Sequence, residues 1–213
     1  MVMCELVGVG KKYDGKIIFD SLSFEINQGE MIAITGPSGS GKSTILNMIG
    51  LLERPDAGTI NLFGKPAPKI NSSKSKLLLR NKIAYLFQNY ALVDNETTDY
   101  NLNIALEYVK ATKTQKRQMK IDALNKVGLD ETYLKKKIYQ LSGGEQQRIA
   151  VARIILKPCE LILADEPTGS LDVQNRNEII KILQELNKSG KTIIIVTHDE
   201  YVADQCERKI ELQ

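Results

Sequence analysis

The sequence predicts an α/β fold: a mainly parallel sheet covered by helices, with a small N-terminal antiparallel β subdomain and an inserted α-helical subdomain. Three observations carry this. The runs "MIAIT", "LILAD" and "TIIIV" are apolar at consecutive positions, the pattern of strands buried on both faces. In "SLSFEIN", by contrast, Leu22, Phe24 and Ile26 alternate with Ser21, Ser23, Glu25 and Asn27, the period of a half-buried antiparallel strand. Between Gln88 and Leu156 no buried strand is evident, and "TDYNLNIALEYVKA", "TQKRQMKIDALNKVGL" and "GGEQQRIAVARIIL" read as helices.

A chain of 213 residues suffices for one well-packed domain but is short for two independent cores. We therefore expect a single domain, with its core in about 1–90 and 157–213 and a helical subdomain in about 91–156. An apolar fraction of 42% and no low-complexity segment exclude disorder beyond the termini. The longest apolar stretches, "ILNMIGLL" and "TIIIV", fall well short of the roughly 20 residues needed to span a bilayer. At the N-terminus the basic residues follow the apolar ones and there is no cleavage-site pattern, so a cytoplasmic location is expected. Cys4, Cys159 and Cys206 are too few and too scattered for a metal cluster or a disulfide framework, and read as reduced thiols. A net charge of +3 does not argue for nucleic acid, and the lysine runs "KATKTQKRQMK" and "LKKKI" read as solvated helix faces.

Each of the three doubly apolar runs ends in polar residues, and ligands of parallel sheets sit beyond the carboxyl ends of the strands. After the first comes "GPSGSGKST", comprising Gly36, Pro37, Ser38, Gly39, Ser40, Gly41, Lys42, Ser43 and Thr44, which opens a helix. This is a P-loop: glycines permit the tight turn and aim backbone N–H groups at phosphate oxygens, while the helix N-terminus adds partial positive charge. Lys42 reaches the β and γ phosphates, and the Ser43 hydroxyl is placed to ligate Mg²⁺. The fold is accordingly a P-loop NTPase core. The loop alone leaves kinases, GTPases and ATPases open.

After the second run, "DEP" supplies Asp165, suited to hold Mg²⁺ through its water shell, and Glu166, suited to orient or deprotonate the attacking water. The third run ends at His198, the only histidine, placed to hydrogen-bond the γ phosphate. Gln88 follows a further short apolar run, "IAYLF", and its amide can reach metal or water. Tyr13 offers an aromatic face for adenine.

With Tyr13, "GPSGSGKST", Gln88, "LSGGEQQR", "LILADEP", "SLD" and His198 in this order, the chain resembles the ATP-binding cassette ATPases, the nucleotide-binding subunits of ABC transporters. The resemblance implies that Tyr13 is the adenine-stacking aromatic, Gln88 the glutamine that reaches metal and water, and Glu166 the catalytic base. It further implies that Ser170 to Asp172 form the D-loop and that His198 is the switch histidine. Glu145 stands at a signature position where the family also often has glutamine. "LNMIGLLERPDAGTINLFGK" and "DEPTGSLD" resemble the group of macrolide-export, lipoprotein-release and antimicrobial-peptide export ATPases. The absence of a membrane segment implies a separate transmembrane permease, with the ATPase peripheral on the inner face of the cell membrane.

"LSGG" is a second glycine-rich helix start, an anion-binding nest too far along the chain to serve the same ATP as the P-loop. A two-fold homodimer resolves this: Ser142, Gly143, Gly144, Glu145 and Asp172 of one chain close over the nucleotide held by the other, as the resemblance also implies. A GTPase would need an N-K-x-D element, and "NKVG" and "NKIA" both lack its aspartate. Two alternatives stand: a cassette ATPase that regulates a membrane partner without transport, and a soluble mechanochemical ATPase. The segment after Gln88, around Leu92 and Val93, is expected to contact a permease helix.

Overall fold

The computed structural model describes residues 1–212. β1 (Val2–Tyr13) and β2 (Lys16–Asn27) form an antiparallel hairpin. Its turn is Asp14-Gly15, both at positive φ (47° and 80°), the residue pair that such tight hairpin turns favour. In β2 Phe19 and Ile26 are buried while Asp20, Ser21, Ser23 and Glu25 are exposed, so the expected alternation sets which face meets the core.

β3 (Met31–Thr35) leaves this sheet for a second one, and α1 (Lys42–Ile49) follows. The chain then returns to the first sheet as β4 (Ala57–Leu62) and β5 (Lys65–Pro66), giving the order β2-β1-β4-β5. The sequence reading did not include β4, because its first three residues are exposed and carry no apolar run.

After α2 (Ser73–Asn81) and β6 (Ile83–Leu86) come the helices α3 (Thr98–Ala105), α4 (Lys113–Lys126) and α5 (Gly143–Leu156). Two 3-10 turns, Glu131–Lys135 and Ile138–Gln140, join α4 to α5. α3, α4 and α5 pack on one another, and α5 also reaches back to β6. The stretch "TDYNLNIALEYVKA" is helical only to Ala105. Just beyond, the Lys116 ammonium donates to Leu106 O at 2.7 Å, a cation on the open carbonyl end of the helix.

β7 (Leu161–Asp165), α6 (Val173–Lys188), β8 (Thr192–Val196), α7 (Glu200–Asp204) and β9 (Arg208–Glu211) complete the chain. The second sheet has the order β6-β7-β8-β3-β9, every pair parallel. Edge strand β9 is mostly exposed, so no hydrophobic pattern announces it.

The central strands are apolar on both faces because each face has its own core. Ile162, Ala164, Ile193 and Ile195 pack with α5 and α6, whereas Leu163, Ile194, Val196, Ile32 and Ile34 pack with α1 and the antiparallel sheet. Register fixes the site: Asp165 of β7 and Ile34 of β3 both lie opposite Val196 of β8. The three polar strand ends therefore emerge at one level, side by side.

Candidate functional site

The loop from Gly36 to Gly41 depends on glycine at both ends. A Cβ on Gly36 (φ 146°) would stand 2.7 Å from Leu212 O, and one on Gly41 (φ 86°) would run into Phe19 and Ile18. Lys42 is buried, and its ammonium donates to Gly36 O and Pro37 O, both at 2.8 Å. Ser43 Oγ donates to Asp165 Oδ1 at 3.0 Å, which ties the loop to the end of β7.

Glu166 is a non-glycine residue at φ 43°, in the sparsely populated left-handed region. Its N–H donates to Val196 O at 2.9 Å, so β8 holds the peptide in place. One carboxylate oxygen lies 2.7 Å from His198 Nδ1, and the other accepts from Thr197 Oγ1 at 3.2 Å. A residue in this region costs about 1–3 kcal/mol and persists where surrounding contacts enforce it. Here β8 and its end supply those contacts.

A cleft of about 500 Å³ brings together Tyr13, Ser38, Gly39, Gly41, Lys42, Ser43 and Thr44 with Gln88, Glu166 and His198. Ser142, Gly143, Gly144, Glu145 and Asp172 do not line it. They form a second locus. Ser142 caps α5: its Oγ accepts from Glu145 N at 3.3 Å, and the Glu145 carboxylate accepts from Ser142 N at 2.8 Å. Glu145 N and Gln146 N both donate to Ser142, which leaves the N–H groups of Gly143 and Gly144 for an external acceptor. A Cβ on Gly144 would stand 3.2 Å from Asn175, which in turn donates to the Asp172 carboxylate.

The family profile described as ABC transporter matches residues 19–169, well over half of the chain. The chain belongs to the ABC transporter family. It is 38% identical over 215 residues to the macrolide export ATP-binding/permease protein MacB of Pectobacterium atrosepticum, an alignment covering 99% of this chain and 33% of that protein. MacB of Hahella chejuensis is 40% identical over 196 residues, 92% of this chain and 30% of that protein. The chain thus spans about a third of the length of these curated relatives. Among solved structures, the dimeric post-hydrolysis state of the cassette MJ0796 bound to ADP and Pi superposes with a TM-score of 0.91 at 35% identity, covering 99% of this chain and 94% of that one. Structure and comparison agree on the fold: an antiparallel N-terminal sheet beside a helix-covered parallel one.

The cassette's residues fit a nucleotide with Mg²⁺. Ser40 Oγ is buried in the loop with no hydrogen-bond partner among the described residues, an acceptor or donor left for a phosphate. Burial pushes the Asp165 carboxyl above the usual carboxylate range, and the neighbouring Glu166 adds to this; Ser43 and Lys42 oppose it. Such a carboxylate is short of positive charge, and a cation between Asp165 and Ser43 would supply it. Gln88 is exposed on the rim of the same cleft.

Four supporting residues, Glu53, Lys11, Thr197 and Tyr133, escaped the sequence reading. Glu53 accepts a hydrogen bond from the Tyr13 hydroxyl, and Lys11 Nζ sits 3.0 Å from Glu53 and 5.1 Å from the centroid of the Tyr13 ring. Partial burial and that bond to Glu53 raise the Tyr13 phenol above its ordinary pKa. Thr197 steadies Glu166, and the Tyr133 hydroxyl donates to Glu145, holding its carboxyl below the usual range. No local pattern marks these, because the hydrogen bonds of Glu53, Thr197 and Tyr133 join residues at least 12 apart in sequence and Lys11 pairs with Glu53 across the fold.

A separate groove of about 450 Å³ runs between the end of α2, the Phe87–Ala91 turn, α3 and the end of α5. Its walls include Arg80, Phe87, Ile104, Tyr108, Arg153 and Lys157, and the Arg80 guanidinium stacks 3.4 Å above the Tyr108 ring centroid. Leu92 and Val93 are not in it: Leu92 packs on the helical-side core, and Val93 is exposed outside the groove.

Proposed function

We propose that two copies of this chain close around two ATP molecules and that hydrolysis reopens them, driving a membrane permease that extrudes a peptide, antibiotic or lipid-like substrate. One observation carries the dimer: the phosphate cleft and the Ser142–Glu145/Asp172 locus are separate places on one chain, each half of a site. The solved structure of MJ0796 with ADP and Pi, which is dimeric, supports the same reading. In it, residues about 1–90 and 157–213 act as the core and about 91–156 as the helical arm that carries the trans half-site.

In this reading the loop N–H groups and Lys42 bind the phosphates, and Tyr13 stacks on adenine with Lys11 and Glu53 fixing its ring. Ser43, Asp165 and Gln88 would hold Mg²⁺, which would supply charge neutralisation to the bound phosphates. Glu166 accepts a proton from the attacking water. His198, hydrogen-bonded to that carboxylate, holds it in place and faces the γ phosphate. From the partner, Ser142 and the free N–H groups of Gly143 and Gly144 meet the same phosphate, favoured by the α5 dipole.

None of the described helices is long and apolar enough to cross a membrane; in this reading the transport path belongs to a permease docked at the groove beside Phe87, with the cassette on the inner membrane face. MacB relatives carry "ATP-binding/permease" in one name, which supports a partner of that kind. Gel filtration of Glu166→Gln tests the dimer. With saturating ATP at about ten times the Kd or more it should elute as a dimer; a monomer under those conditions would count against the proposal.

A further inference from the structure

Tyr90 lies two residues past Gln88, in a turn held left-handed at two successive non-glycine positions, Tyr90 (φ 63°) and Ala91 (φ 48°). The carbonyls of both residues accept from the Arg153 guanidinium, at 2.8 Å and 2.6 Å, so α5 clamps the turn. The Tyr90 side chain then reaches across the molecule. Its hydroxyl is 2.7 Å from Ser170 Oγ, and a Cβ on Gly143 would stand 3.5 Å from the Tyr90 hydroxyl. The hydroxyl therefore joins the turn after Gln88 to the Ser170–Asp172 turn and lies close beside the first residue of α5. On its other side the same turn forms the groove wall with Phe87, Ala91 and Arg153.

We infer that Tyr90 is a positioning residue, a hydroxyl latch through which the groove side of the Gln88 turn sets the placement of Ser170–Asp172 and the start of α5, the half-site presented to the partner chain. This rests on the dimer reading above. The ring alone packs on the helical-side core, and phenylalanine would pack as well. What tyrosine adds is the bond to Ser170. Ser170 is exposed, so that bond contributes little to folding, and its loss reads out in the alignment of the two turns.

A double-mutant cycle of Tyr90→Phe and Ser170→Ala tests this, with steady-state ATPase activity, ATP affinity, Tm, and ATP-driven dimerisation in the Glu166→Gln background as readouts. Each single substitution should lower kcat about 2- to 10-fold, the loss expected of one hydrogen bond, with Tm and ATP affinity of the monomer unchanged. The double variant should be no slower than the slower single one. A hydrolysing wild type with Tyr90→Phe equally active, or single losses that multiply in the double variant, would overturn the latch alone. A chain that neither dimerises as Glu166→Gln nor hydrolyses ATP would overturn the dimer reading and the latch with it.

Discussion

The Glu166 carboxylate and the His198 imidazole meet at 2.7 Å across the ends of β7 and β8, and Glu166 reaches that contact from a left-handed backbone. Two elements separated by a whole helical crossover, α6, are thus locked to each other at the mouth of the phosphate cleft. The imidazole is mostly exposed while the carboxylate is nearly buried.

This asymmetry separates the two substitutions. Glu166→Gln keeps the shape and removes the proton acceptor, so hydrolysis should fall about 10²- to 10⁴-fold while ATP stays bound. His198→Ala leaves the acceptor but frees it from its Nδ1 contact, so activity should fall with nucleotide affinity little changed. Steady-state ATPase assays beside nucleotide-binding titrations check both; equal loss of binding and turnover in either variant would contradict the assignment.

Asp165 makes a prediction about stability. Its raised pKa, caused first by burial, means that folding shifts the balance toward the protonated form relative to the unfolded chain. The sign follows: this contribution is complete below the ordinary aspartate range and lost as pH rises through the raised value, so at about pH 7 the ionised group destabilises the fold. Asp165→Asn should therefore raise the Tm of the nucleotide-free protein, at about 2–4 °C per kcal/mol recovered. The same variant should lose the additional stabilisation that Mg²⁺ gives to the ATP-bound protein. Thermal melts with ATP, with and without Mg²⁺, show both effects.

The α5 start allows a cleaner separation of binding from turnover. Ser142→Ala removes an N-cap, a loss of about 1 kcal/mol, and leaves the phosphate cleft intact. Gly144→Leu would drive a side chain into Asn175, displacing it from the Asp172 carboxylate. Both should bind ATP as the parent does and fail to hydrolyse it. Titration of a fluorescent ATP analogue against single-turnover assays decides the matter, and hydrolysis at parental rate in Gly144→Leu would remove this locus from the site.

What the sequence made legible follows from burial and from turn chemistry. The central strands show as apolar runs because both of their faces are covered, and the P-loop shows because Gly36 and Gly41 sit where a Cβ would collide. β4 stayed hidden because its first three residues are exposed and carry no apolar run, and β9 because it is a mostly exposed edge strand. Glu53, Thr197 and Tyr133 stayed hidden because their work is done across the fold. The groove is a further case: Arg80, Phe87, Tyr108 and Lys157 come from four segments that only packing assembles.

On the proposed reading a permease docks at that groove, and of Leu92 and Val93 only Val93 is exposed enough to join it. Leu92 packs on the helical-side core, so its replacement by aspartate should lower Tm rather than report on a partner. Tyr108 is 63% exposed and Ile104 48%, and both line the groove beside the cationic Arg80, which stacks on the Tyr108 ring, and Lys157. Exposed aromatic and aliphatic anchors flanked by cations suit an amphipathic helix with an acidic flank. Tyr108→Ala and Ile104→Asp should keep basal ATPase activity within about 2-fold, since neither touches the phosphate cleft. With the cognate permease in vesicles, the same variants should lose most of the ATP-driven transport, about 10-fold or more if Tyr108 anchors the contact. Full transport by Tyr108→Ala and Ile104→Asp together would place the permease elsewhere on the cassette.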